Sequence, residues 1–145
     1  MTRTACILVV VDPSATTQPV LKRAACVADA LGWELELLIC LHEGLPSRMW
    51  GAADLQAVRR ALLAHQLGYL RGLGREHPGL SINAKAVWDR PLHEAIIRET
   101  LRSEPRLVMK DTHFHSTISR ALVTNTDWHL IRDCPAPLWL VRGAA

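Results

Sequence analysis

The chain has 145 residues, 49% of them hydrophobic and 21% charged, the size and mix of one globular domain able to bury a core. That balance excludes an intrinsically disordered chain, a collagen-like repeat and a small disulfide-framed scaffold. Seventeen Lys and Arg against fourteen Asp and Glu leave a net charge of +3, too little to mark a nucleic-acid binder by itself.

No apolar run approaches the roughly 18 residues of a membrane span, because charged or turn residues interrupt each one. The opening, Thr2-Arg3-Thr4 followed by Ala5 to Val11, imitates a secretory leader, but its apolar block stops at Asp12-Pro13 and reads as a buried first strand. Cys6, Cys26, Cys40 and Cys134 lie singly in apolar segments without paired spacing, the pattern of reduced, core-filling thiols. A soluble, cytoplasmic protein with neither nucleic acid nor membrane as partner is the expectation.

Taken in order, the segments alternate between the two periods. Cys6 to Val11 is a continuous apolar run ended by Asp12-Pro13-Ser14, as in a central parallel strand covered on both faces. Gln18-Pro19 opens a helix whose stripe of Val20, Leu21, Ala24, Ala25, Val27, Ala28 and Leu31 closes at Gly32. A strand over about Glu34 to Leu41 follows. His42 to Ala53, with Gly44, Pro46 and Gly51, has neither period and reads as a long loop over a ligand site.

From Asp54 the spacing of Leu55, Val58, Leu62, Leu67, Leu70 and Leu73 predicts the longest helix, with Gly72 and Gly74 marking its end. Leu80 to Trp88 alternates like a strand with one wet face, and Arg90-Pro91 starts a helix through Ile96, Ile97 and Leu101. Arg106 to Lys110 is a fourth strand. Thr124-Asn125-Thr126-Asp127 offers a cluster of caps for a short helix through Leu130 and Ile131, and Pro137 to Val141 closes the sheet. One domain over residues 1–145 is expected: an α/β three-layer sandwich with a five-stranded, mainly parallel sheet of Rossmann-like or flavodoxin-like type. In such sheets ligands gather at the carboxyl ends of the strands, hence near Asp12.

Missing motifs narrow the chemistry. The chain carries no Gly-x-Gly-x-x-Gly, Gly-x-Ser-x-Gly, Cys-x-x-Cys or His-Glu-x-x-His, and Gly74 to Ser81 fails as a phosphate loop because Leu80 stands where lysine belongs. His113 and His115 alternate so as to offer two imidazoles to a metal, with Asp111 or Cys134 as a third ligand, but a hydrogen-bonded polar loop explains them more simply and no metal is expected. Arg59-Arg60, Arg71 and Arg75 read as the solvated face of the long helix. No nucleophile–base spacing defines a catalytic residue, so no enzyme is expected.

Ile7 to Asp12 with its polar turn and Ala-rich helix, Leu107-Val108-Met109, and Cys134-Pro135 running on to Val141 resemble the universal stress protein family over essentially the whole chain. Trp88-Asp89-Arg90-Pro91, His113-Phe114-His115 and Thr126-Asp127-Trp128-His129-Leu130 look like the N-terminal half of its tandem-domain E-type members. The resemblance implies an adenine nucleotide alpha hydrolase-like fold and dimers joined along the last strand, here Leu138 to Val141 with Trp139.

The nucleotide-binding branch of that family carries Gly-x-x-Gly and, after a spacer, Gly-Ser or Gly-Thr beyond the fourth strand. Aligned on Thr112-His113, the first glycine falls on Asp111, the second on Phe114, the third on Thr124 and the hydroxyl residue on Asn125. No glycine at all occurs between Gly79 and Gly143, so a glycine-built cradle of backbone N–H groups is excluded there. Phe114 adds a ring where phosphates would lie, and a carboxylate at Asp111 about 4 Å from a phosphate repels it by roughly 1 to 4 kcal/mol.

The expectation is a stress-response protein of the non-ATP-binding type, without cofactor, acting as a dimeric interaction module or binding a small apolar or weakly charged ligand; Phe114 and Trp50 read as ordinary packing ahead of lining or lidding an apolar pocket. The alternative is an ATP- or AMP-binding switch with a degenerate phosphate loop. It would use Asp12, which matches the family's first-strand acid, Lys110, Arg120, and the N–H groups of Thr124, Asn125 and Thr126 at a helix start.

Overall fold

The computed structural model describes residues 3–41, 51–112 and 125–142. Most of the long loop after the second strand, Trp50, His113, Phe114, His115, Arg120 and Thr124 lie outside the described residues. The elements run β1 (Cys6–Val10), α1 (Pro19–Leu31), β2 (Glu34–Leu41), α2 (Ala52–Arg75), β3 (Ile82–Trp88), α3 (Leu92–Ser103), β4 (Leu107–Thr112), α4 (Asn125–Asp133) and β5 (Leu138–Arg142).

The five strands form one sheet in the order β3-β2-β1-β4-β5, and every neighbouring pair is parallel. This is the Rossmann-type order rather than the flavodoxin one, so the side on which successive strands are added switches between β1 and β4. Strand alternation sorts the core into two layers. Ile7 and Val9 of β1, Leu35, Leu37 and Ile39 of β2, and Met109 of β4 pack under α1 and α2. Leu8, Val10, Leu38, Cys40 and Val108 point the other way, against Ala95 and Ile96 of α3 and Leu130 of α4. The result is the expected three-layer α/β sandwich.

Element ends follow local chemistry. Gly32 sits in the left-handed region at φ 68°, and its N–H donates to the Ala28 carbonyl, ending α1 where expected. Gly72 and Gly74 do not stop α2, which runs on to Arg75; a helix tolerates glycine at modest cost, and Gly74 lies against Ile82, which an added Cβ would meet at 3.5 Å. The peptide between Arg90 and Pro91 is cis, and α3 begins after it at Leu92.

The cysteines are unpaired. Cys40 is buried, and burial pushes its thiol up to about 12. Cys26 is exposed rather than core-filling, because the inward face of α1 is taken by Ala24, Ala25 and Ala28. Among the described residues, no helix is long and apolar enough to cross a membrane.

Two glycine substitutions are expected to have opposite signs. Gly68 lies inside α2 with nothing within 4 Å of an added Cβ, so Gly68→Ala raises unfolding free energy by about 0.5–1 kcal/mol. Gly32→Ala forces a side chain into the left-handed region and lowers it by about 1 kcal/mol. Urea unfolding of both variants checks the pair.

Candidate functional site

The crevice between β1 and β4, at their carboxyl ends, is where the sheet's topology places a ligand site. Its β1 side is a stapled turn. Ser14 donates to the Asp12 Oδ1 from its backbone N at 2.9 Å and from its Oγ at 2.7 Å, the local bonding that makes Asp a turn former. The buried Gln18 amide clamps the same turn: its Nε2 donates to the Asp12 carbonyl at 2.6 Å, and its Oε1 accepts from the Asp12 N–H at 3.3 Å. Gln18 Nε2 also reaches Tyr69 Oη of α2 at 3.2 Å, tying the first turn to the second helix.

On the β4 side, successive residues of the strand's last half diverge. Met109 belongs to the layer under α1, and alternation puts Asp111 on that same face; Asp111 is 3% exposed. Lys110 and Thr112 turn to the other face and meet Asp127, a fully buried residue in the first turn of α4. Lys110 Nζ lies 2.9 Å from Asp127 Oδ1 and also donates to the Asp111 carbonyl at 3.0 Å. Thr112 Oγ1 donates to Asp127 Oδ2 at 2.8 Å.

Asp127 thus answers two positive charges at once. It neutralises the Lys110 ammonium, and its place in the first turn complements the positive end of the α4 dipole. Of the residues singled out from the sequence, Lys110 and Asp111 stand side by side on β4, while Asn125, exposed, and Thr126, half-buried, begin α4. Asp12 lies at the same end of the sheet beyond β1. His113, Phe114, Arg120 and Thr124 lie outside the described residues.

Sequence reasoning placed Asp127 among the caps of a helix start but missed its pairing with Lys110, and it missed Gln18 as the staple of the first turn. The available signals were a lone lysine in an apolar strand, which demands a buried anion, and a polar residue just before a helix-opening proline. Neither signal names the partner.

A buried pair is best tested by unpairing it. Asp127→Ala leaves Lys110 charged and without that carboxylate in the interior, and is expected to cost about 3–5 kcal/mol in urea unfolding. The double variant Lys110→Met/Asp127→Leu is expected to recover most of the loss, since it removes both charges.

Comparison with known proteins agrees with this fold. The model of the Universal stress protein family matches residues 6–142. Universal stress protein E of Escherichia coli K12 is 29% identical over 139 residues, covering 93% of this chain and 44% of that protein. The chain therefore spans about half the length of the curated relatives it matches. A universal stress protein structure from Pseudomonas aeruginosa UCBPP-PA14 aligns at 27% identity and TM-score 0.67 over 98% of this chain and 45% of its own. A universal stress protein solved in complex with cAMP shares the fold at 16% identity and TM-score 0.67, over 99% of this chain and all of its own. With the family model spanning the sheet from β1 to β5, the chain belongs to the universal stress protein family.

Proposed function

We propose that this domain serves the stress response as a non-catalytic binding module of the non-ATP-binding type, and that it works as a dimer joined along β5. The observation that carries the first part is the Lys110–Asp127 pair. In a nucleotide site of this topology the strand-end lysine and the helix N-terminus would face the phosphates. Here both are already answered by one internal carboxylate, with a second carboxylate, Asp111, buried on the other face of the sheet at the same strand end. The glycines that would let backbone N–H groups approach phosphate are absent from this half of the chain. A ligand suited to this crevice carries little negative charge.

The second part rests on exposed apolar surface around one sheet edge. Trp139 of β5 is 39% exposed, and Trp128 and Ile131 of α4 are 56% and 51% exposed. His129 stacks on His93 of α3 with ring centroids 4.0 Å apart. At 100° per residue, Trp128 and Ile131 therefore lie on the flank of α4 away from α3. Apolar groups then border the β5 edge on both sides of the sheet, the setting for edge-to-edge pairing with a second copy.

A second reading, a nucleotide-binding switch, draws support from the relative that holds cAMP, with Asp12 and the start of α4 as the contacts. Thermal unfolding with millimolar nucleotide and Mg²⁺ separates the two. The expected result is no shift with ATP; a saturable rise in melting temperature overturns the leading reading, because a ligand at 100 times its Kd stabilises by about 2.7 kcal/mol. AMP and cAMP tested alongside report on the second reading.

Sedimentation at tens of micromolar is expected to show a dimer, and Trp139→Asp to shift it to monomer. A wild-type protein that sediments only as monomer sinks the dimer.

A further inference from the structure

At the opposite end of the sheet, where the strands begin, lies a cavity of about 780 Å³ with Cys6, Glu36, Lys85 and Arg102 in its wall. β2 presents Glu36 and β3 presents Lys85 on the face that α3 covers, the face of Leu38 and Val87. From α3, Glu99 and Arg102 meet them. Lys85 Nζ donates to Glu99 Oε2 at 2.9 Å, and Arg102 Nη2 donates to Glu36 Oε1 at 3.0 Å and also bonds Glu99 Oε1. The Glu99 side chain is 6% exposed and that of Glu36 13%. One guanidinium thus holds two largely buried carboxylates, from different elements, against each other.

We propose that Glu36 and Glu99 share a proton, and that this sharing makes the seating of α3 on the sheet depend on pH. Two carboxylates this close and this dry do not both ionise freely. Lys85 bonds Glu99 and not Glu36, so Glu99 keeps the charge and Glu36 keeps the proton. The surrounding titratable and charged groups are Cys6 from β1, Glu34 from the start of β2, Lys85 from β3, Arg102 from α3 with Ser103 and Glu104 at its end, Arg106 before β4, and Arg3 from the segment before β1. Burial, then the hydrogen bond and charge of Glu99, push Glu36 up to about 7. Against burial, which raises it, hydrogen bonds with Arg102, Glu36 and Lys85 bring Glu99 down to about 2.

The signs follow from linkage. Glu36 is raised from an ordinary 4.5, so its contribution to stability is full below about 4.5 and is lost as pH rises through about 7. Glu99 is lowered, so its contribution is present above about 4.5 and is lost as pH falls through about 2. The clasp between α3 and β2 is tightest near the ordinary carboxylate value and slackens toward the alkaline side of neutrality, where Glu36 and Glu99 repel one another.

Carbon-detected NMR of the glutamate carboxyls in the full chain tests the pairing. The Glu36 midpoint is expected near 7, and a midpoint in the ordinary range overturns the proposal. Glu99→Gln removes the like charge and is expected to lower that midpoint by at least about one unit; an unmoved midpoint overturns the pairing. Hydrogen exchange tests the seating. After correction for intrinsic rates, α3 amides are expected to exchange about tenfold faster at pH 8 than at pH 6 relative to α1, as for one unit of displaced titration. Glu36→Gln is expected to abolish that difference. Its persistence, or an equal change in α1, overturns the link to α3, and should Glu36→Gln not fold, the wild-type and Glu99→Gln titrations and the α3-to-α1 comparison still decide.

Discussion

An all-parallel sheet has to be covered on both faces, because each strand is joined to the next by a crossover that leaves one apolar face on either side. β1 shows the constraint most fully. It lies between β2 and β4, with Val9 opposite both Leu37 and Met109, and Ile7, Leu8 and Val9 are inaccessible. Every strand then ends on the same side of the molecule. The two ends of the sheet become chemically distinct regions, and polar groups that enter the layers do so near one end or the other.

Each end carries its own acid–base arrangement, and the two differ in balance. At the carboxyl end a lysine meets an aspartate, and a threonine donates to the same carboxylate. Such a pair fixes a strand to a helix and offers little to an incoming anion. At the amino end two glutamates crowd one arginine, with a lysine on only one of them. The first arrangement sets one charge against one, whereas the second sits close to the boundary between two protonation states.

Much of the architecture was legible because burial and periodicity coincide in this fold. The strand over Glu34 to Leu41 appears with the expected limits, and the Gly32 stop holds because only that residue type enters the left-handed region without strain. The glycines of α2 mark its end to within a residue of Arg75 without breaking it, since an isolated glycine weakens a helix by less than the packing of Leu70 and Leu73 retains. Cys26 was misplaced because an apolar neighbourhood in sequence covers all sides of a helix, while the core takes one. Within the site, the family resemblance singles out Asp111 as the position of the first glycine and the switch reading singles out Lys110, yet their opposite facing follows only from the register of β4. The Lys110–Asp127 and Glu36–Arg102 contacts join residues far apart in the chain, and no local pattern encodes them, whereas Glu99 and Arg102 form a local i,i+3 pair on α3.

The two outer strands are not equivalent. β3 carries Lys85, drawn inward onto Glu99, and a charge pointing into the layers opposes the docking of another strand alongside. β5 carries no such guard along Leu138 to Val141. The proposed pairing along β5 would use the unguarded border among the described strands, and with the β3 border guarded such strand addition would end after a single step and not propagate into a fibre.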